Sequence, residues 1–180
     1  KEAEAALLKV LSIDPARVNA CADLASLYLG EPTRKEEARK YALKTLQLHP
    51  SNLVAASAHF VLGTLASDKN DTATTLKEFA ATVKLAPDNP HGHLSYGLAL
   101  AKAQKYPAAL TPLTRAIALD PRMTQAYLYI GIIKDLQKNY PEAIQAYQGG
   151  LNCAPTNPSL LMNLALDQRR IGNTEQAVGS

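Results

Sequence analysis

Apolar residues return every three to four positions along this chain, in runs of a dozen or so residues. That is the spacing of a helix with one buried face. The runs come in pairs, and a proline follows the second of each pair. The clearest unit is Gln125 to Pro155, QAYLYIGIIKDLQKNYPEAIQAYQGGLNCAP. It reads as two antiparallel helices with a short turn around Lys138 to Pro141. Five closing prolines, Pro15, Pro50, Pro87, Pro121 and Pro155, are spaced by 35, 37, 34 and 34 residues.

Each proline has the same surroundings. Twelve residues before it stand Ala3, Ala38, Thr75, Ala109 and Ala143; eight before it stand Leu7, Ala42, Phe79, Leu113 and Tyr147. Five before it stand Val10, Thr45, Thr82, Ala116 and Gly150. These offsets share one helix face, with small side chains where a neighbouring helix comes close. Six, nine and ten residues after Pro121 come Tyr127, Ile130 and Gly131, and the same large, large, small set follows Pro87 as His93, Tyr96 and Gly97. After Pro155 it is Leu161, Leu164 and Ala165, and after Pro15 it is Cys21, Leu24 and Ala25. After Pro50 the set arrives three residues late, as His59, Leu62 and Gly63, which accounts for the longer interval.

The pattern predicts helices over 1–12, 18–30, 34–47, 52–67, 72–85, 90–104, 107–119, 123–138, 141–153 and 158–171, with a further one starting at Asn173. Asn89-Pro90 and Asn157-Pro158 are start signals, an amide cap followed by a proline where no donor is needed. A Gly-Glu-Pro-Thr turn at 30–33 joins the first complete pair. The helix carrying the three extra residues is expected to be longer or to begin irregularly. Gly149-Gly150 is expected to soften the end of its helix.

The near-34-residue period, the set Gly131, Ala143, Tyr147 and Pro155, and the segments YPAAL (106–110) and YPEAI (140–144) resemble the tetratricopeptide repeat family. The resemblance runs over essentially the whole chain. It implies an all-α fold, a right-handed superhelix (solenoid) of antiparallel helix pairs forming one array. Partial repeats cover 1–15 and 156–180, and full repeats cover about 16–50, 51–87, 88–121 and 122–155. The partial ends suggest a fragment of a longer protein. Each pair of such an array touches only its neighbours.

The resemblance also implies a concave face lined by the first helix of each pair, at seven and eleven residues past the proline: Leu94 and Leu98, Leu128 and Ile132, Met162 and Leu166. Phe60 and Thr64 take these places in the shifted pair, and Ala22 and Ser26 in the first. Gln125, Tyr129, Asp135 and Asn163 lie beside them. This row reads as a largely apolar groove for an amphipathic helix or hydrophobic peptide, or as side chains already hidden by tight packing. The carboxylate clamp of chaperone-binding members needs Lys or Arg on this face, and its leucines and isoleucine supply none. Members with glycosyltransferase domains show an asparagine ladder, of which Asn163 is the sole counterpart here.

Composition narrows the alternatives. Of 180 residues, 47% are hydrophobic but only 6% aromatic, so closely packed alanine helices must form the core. A net charge of +3, with basic and acidic residues interleaved, offers no stripe for nucleic acid or an anionic membrane. No run of 18 apolar residues exists, so no direct membrane insertion is expected. Cys21 and Cys153 lie too many helices apart to pair within one chain, and each reads as a small buried or half-buried hydrophobe. The compartment stays open between cytoplasm and bacterial periplasm.

No catalytic constellation emerges. His91 and His93 point to different sides of a helix, and His59 and His93 fall on a packing position. Neither a metal nor any other cofactor is expected, and the single glycines read as close contacts or turns. The expected function is therefore a non-catalytic scaffold that binds a protein or peptide partner. Two other readings stand beside it: the targeting arm of a larger enzyme or envelope export machine, such as a glycosyltransferase or an exopolysaccharide secretion system, and an array that associates with itself.

Overall fold

The computed structural model describes the backbone of residues 1–178 and the side chains of residues 1–172. Among them are ten α-helices and no strand. They are α1 (Glu2–Ile13), α2 (Val18–Leu29), α3 (Lys35–Gln47), α4 (Asn52–Asp68), α5 (Thr72–Leu85), α6 (Pro90–Lys102), α7 (Tyr106–Leu119), α8 (Thr124–Leu136), α9 (Tyr140–Cys153) and α10 (Pro158–Val178). Two compact units divide them, Lys1–Asp88 with α1 to α5 and the residues from Asn89 onward with α6 to α10.

Within three of the pairs, α4–α5, α6–α7 and α8–α9, one contact repeats. A Cβ on Gly63 would lie 2.7 Å from the Phe79 ring, on Gly97 2.6 Å from Leu113 Cγ, and on Gly131 2.2 Å from Tyr147 Cε1. The small position of each of these first helices thus receives the large position of its second helix. Of the alanines the pattern placed twelve and five residues before the prolines, Ala38, Ala109, Ala116 and Ala143 are fully buried. Tyr147 is fully buried as well, and burying a side chain of that size contributes about 1.5–3 kcal/mol. In the first unit the core is built from Leu24, Tyr28, Ala38, Ala42, Ala58, Val61 and Leu65.

The ends of the helices follow from local chemistry. Asn89 Oδ1 accepts from the backbone N–H groups of His91 (3.0 Å) and Gly92 (3.2 Å), and Asn157 Oδ1 accepts from Leu160 N–H (3.1 Å). Asp71 caps α5 by accepting from the Thr74 N–H at 3.1 Å. Between paired helices Asn70, Gln104 and Lys138 turn the chain with φ of 57°, 58° and 59°, the left-handed region that lets a tight turn close.

Two expectations change. The 30–33 turn contains a short 3₁₀ helix, Pro32–Arg34, because Arg34 is anchored: it pairs with Glu4 and lies 3.6 Å over the Tyr28 ring. α4 takes the longer of its two expected forms, its three extra residues absorbed into a regular 17-residue helix. No second helix begins at Asn173; α10 runs on as one helix to Val178. α9 reaches Cys153, its predicted end, with Gly149 and Gly150 inside the helix. The two glycines admit neighbours, since a Cβ on Gly149 would meet Tyr127 Cε1 at 2.6 Å and one on Gly150 would meet Leu160 Cδ1 at 2.7 Å.

Candidate partner-binding groove

The first helices of the second unit's pairs are α6, α8 and α10, and α8 packs on both of the others. Leu94 and Leu98 on α6 are half-buried, as are Leu128 and Ile132 on α8. Leu128 and Ile132 lean on the cluster of Ala143, Tyr147 and Leu160, so part of each belongs to the packing between pairs. On α10 the row opens: Met162 is 62% exposed and Leu166 37%. Gln125 is exposed and Tyr129 half-buried. The Asn163 side-chain amide donates to Ser159 O at 2.8 Å along its own helix. Phe60 belongs to the first unit, where its ring meets Phe79 at 5.7 Å between centroids. Of the fourteen expected groove positions, ten are in this unit and Ala22, Ser26, Phe60 and Thr64 in the first, with solvent reaching the apolar ones of the second unit most on α10.

Asp135 is not an open carboxylate. The Arg170 guanidinium pairs with it and also donates to Asp167 Oδ1 at 2.9 Å, while lying 5.6 Å from the Tyr140 ring centre. Asp167 is buried, at 1% exposure. Neither Asp167 Oδ2 nor the buried Tyr147 hydroxyl has a hydrogen-bond partner among the described residues. Burial foremost, then the neighbouring Asp135 carboxylate, raises the Asp167 pKa above the ordinary carboxylate value, against the opposing pull of Arg170. Burial likewise pushes the Tyr147 hydroxyl up, with Asp167 and Asp135 adding to it. The sequence did carry a signal for this cluster. Asp167 stands twelve residues past Pro155, where the same count past Pro121 gives the fully buried Ile133.

Two readings of single residues are corrected. His59 is a paired histidine as well as a packed one: its Nδ1 lies 2.6 Å from Glu78 Oε2, and the Glu78 residue is 8% exposed. Apolar surroundings on α4 and α5 make a partner for that carboxylate obligatory. Cys21 is buried as expected, whereas Cys153 is exposed, its thiol donating to Pro121 O at 3.2 Å.

A cleft of about 760 Å³, open to solvent, lies over α3, α4 and α5 in the first unit. Leu62, Leu65 and Ala66 form its apolar part. Lys35–Asp68 and Lys69–Glu36 (2.9 Å) bridge its rim. Among the described residues there is no group of His, Cys, Asp and Glu that could hold a metal ion. Nor is any described helix long and apolar enough to cross a membrane.

Comparison with known proteins agrees with the paired-helix fold. A family model described as "Tetratricopeptide repeat" matches residues 60–122 and 94–158, together more than half of the chain. "Small glutamine-rich tetratricopeptide repeat-containing protein 2" of Mycosarcoma maydis is 23% identical over 115 residues, 64% of this chain and 33% of that protein. The solved structure of YrrB, "a TPR protein with an unusual peptide-binding site", superposes with a TM-score of 0.81 at 21% identity, covering 97% of this chain and 88% of that one. The TPR2B domain of yeast Sti1, in its complex with pHsp70, gives 0.60 at 21% identity, covering 64% and 97%. The chain spans a third or less of the length of the curated relatives it matches first.

Proposed function

The chain belongs to the tetratricopeptide repeat family, and on that premise we propose a non-catalytic interaction module that holds a peptide or helix of a partner protein against α6, α8 and α10. One observation carries this reading. Met162 and Leu166 are large apolar side chains left in solvent at the end of a row, Leu94, Leu98, Leu128 and Ile132, that is otherwise half-buried. Water-exposed apolar surface of that kind is unfavourable unless something covers it. A ligand presenting apolar residues at i, i+3 or i+4, and i+7 matches the helical spacing of the row. The peptide-binding description of YrrB and the pHsp70 complex of Sti1 support the same class of partner. The short coverage of the relatives fits a module carried within a larger protein, and the targeting-arm reading follows from that alone.

Substitution at Leu128 or Ile132 disturbs packing along with the surface, so Met162 and Leu166 are the informative positions. Peptides selected from a random display library on the whole chain are expected to lose binding to Met162→Lys/Leu166→Lys. They should keep it for Leu53→Lys, a control on α4 that is 70% exposed. Circular dichroism should be the same for all three proteins. Selected peptides that bind the double variant undiminished overturn the assignment. Self-association through the same side chains is the second reading, and it predicts sedimentation that depends on concentration in the parent chain and not in the double variant.

A further inference from the structure

α10 meets α8 and α9 where two carboxylates, Asp135 and Asp167, come close around one guanidinium. Among the described residues, three ionisable groups face Asp167: Asp135 from α8, Tyr147 from α9 and Arg170 from α10 itself. Lys134 on α8 and Glu142 on α9 satisfy each other at 2.6 Å. With both carboxylates ionised, the Arg170 guanidinium is shared between these two anions, and Asp167 Oδ2 is buried without a donor among the described residues. A buried carboxylate in that position is costly in its charged form. A proton taken up from solvent removes the like-charge repulsion and turns an orphaned acceptor into a hydroxyl donor beside Asp135. Arg170 is then left to neutralise Asp135.

We propose that Asp167 is a proton-operated clasp: protonated, it holds α10 firmly onto α8 and α9, and ionised, it loosens that attachment. The sign follows from linkage. A group that holds its proton more tightly folded than unfolded contributes stability that is complete below its unfolded pKa and lost as pH rises through the folded one. Asp167 is raised in the folded chain, so the α10 attachment strengthens on acidification above the ordinary carboxylate range. Paired carboxylates of the usual kind, such as Glu142 with its pKa lowered by Lys134, act in the opposite direction at lower pH. Because Met162 and Leu166 ride on the same helix, the clasp also regulates presentation of the groove; that consequence alone rests on the reading proposed above.

The test is amide hydrogen exchange of the whole chain without any peptide, expressed as protection factors for α10 between about pH 8 and about pH 5. Protection of α10 is expected to rise on acidification, by up to about tenfold per pH unit inside the titration window. That of α4 should stay level. Asp167→Asn, neutral at every pH, is expected to show high and level protection in α10. Asp135→Asn, which removes the like charge and folds independently of the first variant, is expected to shrink the rise. A level or falling profile in the parent chain overturns the clasp. So does a rise that persists in Asp167→Asn or is undiminished in Asp135→Asn. Since no ligand is present, a failed clasp and a failed groove give different results.

Discussion

Tyr147 shows how far a single position decides this fold. Its ring lies against the backbone of Gly131, where a Cβ would approach to 2.2 Å, and the ring is fully buried. Gly131→Ala is therefore expected to destabilise by about 1–3 kcal/mol through overpacking, although alanine is the better helix former. Urea denaturation of the variant measures it. A gain in stability would show that the ring moves freely aside. The Gly-to-ring relation was legible as a recurring offset, because small and large side chains at fixed spacing are written in the sequence itself. The His59–Glu78 pair was not, since nothing local indicates that a carboxylate nineteen residues on enters the same packing layer.

Among the helices, the turns carry the clearest repeated strain. Asn70, Gln104 and Lys138 share a left-handed backbone, which asparagine tolerates better than glutamine or lysine. Gln104→Asn and Lys138→Asn are each expected to stabilise by about 0.5 kcal/mol, seen as a higher denaturation midpoint with unchanged slope. A loss at both positions would mean that their side chains do more than cap a turn. Helix ends defined by Asn-Pro were readable from sequence because the cap is a contact between near neighbours. The course of α10 past Gly172 and the 3₁₀ turn at Pro32–Arg34 were not. The latter depends on Arg34 reaching Tyr28 and Glu4 across the first unit.

At the scale of the molecule, the two compact units each have an interior of their own. Residues 89–180 produced alone are expected to keep their helicity and unfold cooperatively. Repeat arrays derive stability from pairs and nearest-neighbour contacts, so no distant centre needs to form first. Far-ultraviolet circular dichroism through a thermal ramp tests this, and a fragment without helix content would contradict it. Functionally, the row of Leu94, Leu98, Leu128, Ile132, Met162 and Leu166 was placed by period and family resemblance, but its exposure was not. The structure shows it mostly half-buried and open chiefly on α10.

By itself the sequence determined the helical character, the pairing step near 34 residues and the small-against-large contact inside three of the pairs. All three follow from interactions of short range or from residues repeated at a constant interval. Only the tertiary structure decided that Asp135 is taken up by Arg170, that Asp167 is sealed beside Tyr147, and that Cys153 faces water. Those outcomes depend on how successive pairs lie against one another: the period marks Asp167 as a buried position, but not which side chains of other helices meet it there, nor which surfaces stay open.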